Sequence, residues 1–164
     1  MDMFPLVERL GAGAFAQVWG SVCPCNGAAL AVKMHSRPGE KIRHRARWEA
    51  DVLSRVDHPN IVKFVAAFET AEVHVVVLER LPLSLKQYLS RAAGQRLDVD
   101  KASLIFMGVC GGIAHLHDKD IAHRDIKPGN ILVSPDDTTA KLTDLGIAAF
   151  APSSSELWDN IGSE

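Results

Sequence analysis

The sequence lacks what a disulfide-stapled, secreted, membrane-borne or nucleic-acid-binding protein would need. Its three cysteines are an odd number and build no disulfide framework. Cys23 and Cys25 flank Pro24 in a turn-like stretch, but no further ligand at suitable spacing lies nearby to complete a zinc site. Cys110 falls in an apolar helical stretch and reads as a small core residue. This cysteine usage fits a reducing, intracellular setting, cytoplasmic or nuclear. The N-terminus, MDMFPLVERL, has neither the basic start nor the long apolar stretch of a signal peptide. The uncharged helical run, residues 102–117, is too short and too rich in Gly and His for a membrane span. With 18 Lys and Arg against 20 Asp and Glu, the formal net charge is −2, which argues against a dedicated nucleic-acid partner. The one dense basic run, KIRHRAR at residues 41–47, reads as a solvated helix face.

What is present is an ordinary globular balance: 164 residues, 47% hydrophobic and 23% charged, enough for one good core or two small lobes. Short apolar or alternating runs at residues 6–10, 17–22 and 28–34 predict strands, separated by Gly-rich and CPCNG punctuation. A helix is expected over about residues 41–56, stopped by His58-Pro59-Asn60. Strands follow at 62–69 and 73–78. After Pro82 the pattern turns helical: a short helix at 85–93, then Ile105, Val109, Gly112, Ile113 and Leu116 at helical spacing on one buried face. Two short strands, 131–133 and 140–143, and a loop-like tail complete the chain. No internal repeat is visible. The fold class is α+β, a strand-rich half followed by a helical half, with a hinge near Glu79 to Pro82.

Four places could carry chemistry. LGAGAFAQVWG, residues 10–20, is glycine-rich between two strands, and glycines let backbone N–H groups approach phosphate oxygens. It also fits the dinucleotide fingerprint G-x-G-x-x-A through Gly11, Gly13 and Ala16, but that reading needs a helix next, where QVWGSV predicts a strand. In ALAVKM, Ala29, Ala31 and Lys33 share one strand face. Lys33 is either an edge lysine pointing at water or a buried one in need of a counter-charge. Glu49 lines up with Leu53 and Val56 on the apolar side of its helix, where glutamate is rare, so a Lys33–Glu49 pair would account for both. Finally, IAHRDIKPGNILV (residues 121–133) sets His123, Arg124, Asp125, Lys127 and Asn130 amid apolar flanks, and Asp144 follows in Asp144-Leu145-Gly146. Phosphoryl transfer requires oxygen ligands for Mg²⁺, a cation for the phosphates and an acceptor near the attacking hydroxyl. Asn130 and Asp144, Lys127, and Asp125 supply these in turn. The bland alternative is a polar turn between helix and strand.

Taken together, in this order, these motifs resemble a eukaryotic-type protein kinase of the serine/threonine branch. The resemblance covers nearly the whole chain. It implies a two-lobe fold: residues 1–81 an antiparallel-sheet N-lobe with one helix, glycine loop and hinge, and residues 82–164 a partial helical C-lobe with the catalytic loop, the metal-binding DLG and the start of the activation segment. It implies ATP and Mg²⁺ as cofactors and a protein substrate carrying Ser or Thr. Lys33 would hold the α- and β-phosphates, with Glu49 orienting it. Asp125 would accept the hydroxyl proton beside Lys127, and Asn130 and Asp144 would hold metal. Leu10, Val18, Ala31 and Leu132 would sandwich the adenine, Gly11 and Gly13 would cradle phosphate, and Glu79 and Leu81 would bond the ring next to the gatekeeper Leu78. Leu53, Phe64, His123 and Leu145 fall where the family's regulatory spine sits. Ala16 replaces the third glycine and Leu145 the usual phenylalanine. The sequence stops at Glu164, with Gly162-Ser163 resembling the pair ahead of the family's Ala-Pro-Glu motif. A truncated domain is therefore expected, its C-lobe helix face with Ile105, Val109 and Ile113 partly uncovered and open to a partner. An inactive nucleotide-binding or interaction fragment is the alternative to an active enzyme.

Overall fold

A computed structural model describes residues 4–12, 16–35, 39–70, 72–92, 94, 96–134 and 139–151. Gly13 and the tail with Gly162 and Ser163 lie outside these. By its contacts the chain forms two units, Met1–Asp57 with Val62–Arg80, and His58–Ile61 with Leu81–Glu164.

The first unit is a five-stranded antiparallel sheet with one helix. Strands β1 (Leu6–Ala12), β2 (Gln17–Val22), β3 (Ala29–His35), β4 (Phe64–Glu69) and β5 (His74–Glu79) lie in the order β1-β2-β3-β5-β4. The β5 sequence is apolar without alternation, HVVVLE, and every residue from His74 to Leu78 is buried, as a strand covered on both faces requires. Leu30 and Val32 of β3 and Val75 and Val77 of β5 form one core cluster, flanked by Trp19, Met34 and Phe68. Helix α1 (Glu40–Ser54) packs on β3, β4 and β5 and buries Ala46, Glu49, Ala50 and Leu53 at helical spacing.

The second unit contains β6 (Leu83–Ser84), α2 (Leu85–Arg91), α3 (Val99–His117), β7 (Ile121–Ala122), β8 (Ile131–Val133), β9 (Ala140–Leu142) and β10 (Ala149–Phe150). A capping box starts α2: Gln87 N–H donates to Ser84 Oγ at 3.2 Å and Ser84 N–H to Gln87 Oε1 at 2.9 Å. Asp98 caps α3 by accepting from Lys101 N–H at 2.9 Å. Strands β6, β8 and β9 make one small sheet, and β7 pairs with β10. Ala149 lies opposite Ala122 and Phe150, the first residue of the loop-like tail, opposite Ile121, a pairing too short to show a period in sequence.

Helix α3 buries Ile105, Val109, Gly112 and Leu116, while Ile113 is half-buried, so the face expected to lie open is covered instead, because β7 and β9 pack on it. Cys110 is exposed, not core, because it stands one residue off that stripe, beside Phe106 and Met107, which are also exposed. The helix begins at Val99, ahead of the uncharged run, and its 19 residues are long and apolar enough to cross a membrane by length and composition alone. Its buried stripe packs on β7 and β9, as in the core helix of a globular unit.

Helix α1 ends ahead of His58-Pro59-Asn60, and Asn60 and Ile61 then anchor the chain. Asn60 Nδ2 donates to the Ala140 carbonyl at 2.8 Å, the Asn60 carbonyl accepts Leu142 N–H at 2.8 Å, and Ile61 bridges Leu142 in parallel. Glycine on α3 makes room for it. A Cβ at Gly112 would meet the Asn60 carbonyl at 2.8 Å and Leu142 Cδ1 at 3.0 Å, whereas one at Gly129 meets nothing within 4 Å. Gly112→Ala should therefore destabilise the chain by about 1–3 kcal/mol in urea unfolding despite alanine's better helix propensity. Gly129→Ala should change it by less than about 0.5 kcal/mol.

Candidate functional site

In the first unit, register places the chemistry. Gly11 lies opposite Val18, and Val18 opposite Lys33, so glycine, apolar side chain and lysine form one row across β1, β2 and β3. Ala31 lies opposite Leu78 in the same sheet. Lys33 is not an edge lysine: its Nζ donates to both Glu49 oxygens at 2.8 Å, with Glu49 only 1% exposed and Lys33 15%. Behind this pair, His35 Nε2 stands 3.7 Å from Glu49 Oε2. His35 is in register with His74, which lies 3.9 Å from Glu69, and Glu69 accepts a forked hydrogen bond from Arg47 at 2.8–3.0 Å. Leu10, Val18 and Ala31 are half-buried. Glu79 N–H donates to the Lys63 carbonyl at 3.0 Å.

In the second unit, residues 123–130 fold back on themselves. Asp125 N–H donates to His123 Nδ1 at 3.3 Å, which leaves the ring proton on Nε2, and Nε2 donates to the Thr143 carbonyl at 3.0 Å. Thr143 N–H donates to the Asn130 carbonyl at 3.0 Å. Both backbone groups of Thr143 are thus tied to this loop, and Asp144 is the next residue. Asn130 Nδ2 donates to the Asp125 carbonyl at 2.9 Å and to its carboxylate Oδ2 at 2.8 Å, and Lys127 Nζ donates to the same Oδ2 at 2.6 Å. One carboxylate is thereby aimed by an amide and a cation. Arg124 (φ 67°) and Asp144 (φ 65°) sit in the left-handed region, which costs non-glycine residues of order 1 kcal/mol each and is tolerated where surrounding contacts over-determine the backbone. Leu81 and Leu132 are half-buried in this unit, and Leu145 is fully buried.

Burial holds His123 below the usual histidine range, against the opposing pull of the Thr143 carbonyl and of Asp144. It is 4% exposed and neutral, consistent with the tautomer its two bonds require. Burial likewise lowers His74, with Glu69 opposing. For His58 burial acts with the charge of His115, whose ring stacks on it at 4.9 Å.

The sequence matches the protein kinase domain family over residues 4–164. The chain belongs to the protein kinase family. It is 33% identical over 158 residues to the mouse serine/threonine-protein kinase Nek5, covering 96% of this chain and 25% of that protein. It is 31% identical over 160 residues to cyclin-dependent kinase 14 of Callithrix jacchus, covering 97% and 37%. It is also 31% identical over 153 residues to calmodulin-binding receptor-like cytoplasmic kinase 3 of Arabidopsis thaliana, covering 90% and 30%. The chain thus spans between 25% and 37% of the length of these kinases. Its antiparallel-sheet first unit with one helix matches the N-lobe of the kinase fold.

Within each unit of this kinase domain the predicted residues come together: Gly11, Val18, Lys33 and Glu49 in the first, Asp125, Lys127 and Asn130 in the second, with Asp144 tethered through Thr143. The donor set suits the family's cofactors. With Asn130 Nδ2 committed to Asp125, the amide presents Oδ1, a hard oxygen of the kind Mg²⁺ prefers, and Asp144 brings a carboxylate. Three contributors went unread in sequence: the Thr143 backbone, the ring bonds of His123, and His35 beside Glu49. For His35 the signal was there, a histidine two residues beyond Lys33 on the same strand face.

Each of His58, His74 and His123 has a folded-state pKa below its unfolded value, so the unfolded chain takes up protons first as pH falls. Stability is full above about pH 6.5 and declines as pH drops toward the lowered folded values. Urea midpoints measured from neutral to mildly acidic pH should fall accordingly, and His74→Gln should flatten the slope.

Proposed function

We propose that this domain transfers the γ-phosphoryl group of ATP to serine or threonine hydroxyls of protein substrates. The observation that carries the reading is the Asp125 carboxylate, fixed at 2.8 Å by Asn130 and at 2.6 Å by Lys127 within one loop. Mg²⁺-ATP, when bound, would supply the phosphoryl group and its electrophilic phosphorus. Asp125 accepts the proton of the incoming hydroxyl, and Lys127 sits where it neutralises charge building beside that carboxylate. Lys33, oriented by Glu49, would bind the α- and β-phosphates near the glycine loop that includes Gly11. Asn130 and Asp144 would hold the metal. Leu10, Val18 and Ala31, and the hinge and strand residues Glu79, Leu81 and Leu132, keep the adenine roles their motif positions give them. The serine/threonine preference is supported by Lys127 two residues after Asp125 and by the name of the mouse relative.

A second reading, a nucleotide-binding fragment that does not transfer phosphate and joins a partner, is favoured by one observation. Leu104, Phe106 and Met107 of α3 are 47–68% exposed.

Radiolabelled transfer to a Ser/Thr protein substrate, run beside ATP binding, separates the two. Asp125→Asn should keep ATP binding and lower transfer by about 10²–10⁴-fold. Lys33→Met should weaken both. Transfer unchanged in Asp125→Asn would remove the assignment of the base, and binding without transfer in the unaltered chain would select the second reading.

A further inference from the structure

The turn joining β2 to β3 holds two thiols side by side. Cys23 Sγ and Cys25 Sγ are 2.8 Å apart, and both cysteines are free, Cys25 exposed and Cys23 half-buried. The backbone imposes this approach. Cys23 N–H donates to the Ala28 carbonyl and Gly27 N–H to the Cys23 carbonyl, each at 2.8 Å, while Ala28 N–H donates to Asn26 Oδ1 at 3.0 Å. Pro24 locks its own φ between the two cysteines, and Gly27 takes the left-handed φ of 71° that closes the turn. One side of Cys23 rests on the core cluster of Leu30, Val32, Val75 and Val77, which holds its sulfur in place.

Among the described residues no third Cys, His, Asp or Glu joins the pair, so it does not make a closed metal site. The two thiols are also not equivalent. Their mutual hydrogen bond lowers Cys23 and raises Cys25 from the ordinary thiol value. Cys23 therefore carries more thiolate, the nucleophilic form, and Cys25 remains the protonated neighbour.

We propose that Cys23-Pro24-Cys25 is a hydroperoxide-reactive dithiol that closes to an intramolecular disulfide. The Cys23 thiolate attacks the terminal oxygen of the hydroperoxide. An S–O bond forms, the O–O bond breaks, and the alkoxide (hydroxide from hydrogen peroxide) leaves as alcohol or water after taking a proton. The Cys25 sulfur then attacks the Cys23 sulfenic sulfur. The S–S bond forms, the S–O bond breaks, and the departing hydroxide takes the Cys25 proton as water. Two thiols are oxidised by two electrons and one hydroperoxide is reduced to one alcohol and one water. The product staples the turn between the strands that carry Val18, Ala31 and Lys33. The chemistry itself is independent of the nucleotide reading.

Cys110, exposed on α3, would react as an unrelated third thiol, so the test is run in the 164-residue chain carrying Cys110→Ser. The protein is treated with stoichiometric hydrogen peroxide, alkylated after denaturation, and read by peptide mass spectrometry. The expected result is a monomeric product whose Cys23–Cys25 peptide has lost two hydrogens and resists alkylation. With dimedone present during oxidation, Cys25→Ser should label at Cys23 several-fold faster than Cys23→Ser labels at Cys25. Thiols that stay alkylatable under peroxide sufficient to sulfenylate Cys110 in the unaltered chain would overturn the proposal, as would disulfide-linked dimers or faster labelling at Cys25.

Discussion

The buried ion pair between Lys33 and Glu49 constrains the first unit more than any other contact. Removing a carboxylate and an ammonium from water costs several kcal/mol per ion, and only close, well-aimed hydrogen bonds offset it. Here both Glu49 oxygens accept from Nζ at 2.8 Å. The pair fixes where α1 lies along β3 and places a charged residue on a helix stripe otherwise made of Ala46, Ala50 and Leu53. Its surroundings are polar in an ordered way. From Glu49 the chain of neighbours runs through His35 and His74 to Glu69 and Arg47, crossing β3, β5 and β4 and returning to α1. A helix laid one turn out of place would break both the Lys33–Glu49 and the Arg47–Glu69 pairs.

The second unit solves a comparable problem with hydrogen bonds. Its candidate residues come from a loop, where aim is hard to maintain, and the aim is supplied by atoms that themselves carry no reaction. The Asn130 amide grips Asp125, the Thr143 backbone ties the approach to Asp144, and neutral His123 links the two. Beneath them, Asn60 binds the backbone at both ends of β9 and leaves no room for a side chain at Gly112. Packing at α3 and aim at the loop are therefore parts of one structure.

Much of this was legible in sequence where a signal repeats. The alternation of ALAVKM, the apolar run of β5 and the 3.6-residue stripe of α3 identify their elements because burial acts on every turn or every second residue. Lys33 and Glu49 were legible as a pair because each is anomalous alone. Pairings that occur once were not legible. The two-residue strands β6, β7 and β10 exist only through partners far along the chain. The segment His58–Ile61 is legible as a helix stop but not as an anchor, because its hydrogen bonds go to Ala140 and Leu142, some eighty residues later. Cys110 was misread because an apolar helix shows its stripe clearly only once the covered side is known.

The central claim is that Asn130 and Asp144 hold a metal that seats ATP on this chain. Thermal unfolding with ATP, with and without Mg²⁺, tests it most directly in the unaltered chain and in Asp144→Ala. The account predicts a magnesium-dependent rise of about 5–10 °C with nucleotide about a hundredfold above its Kd, lost in Asp144→Ala. A rise that needs no magnesium, one that survives Asp144→Ala, or no rise at all would contradict it.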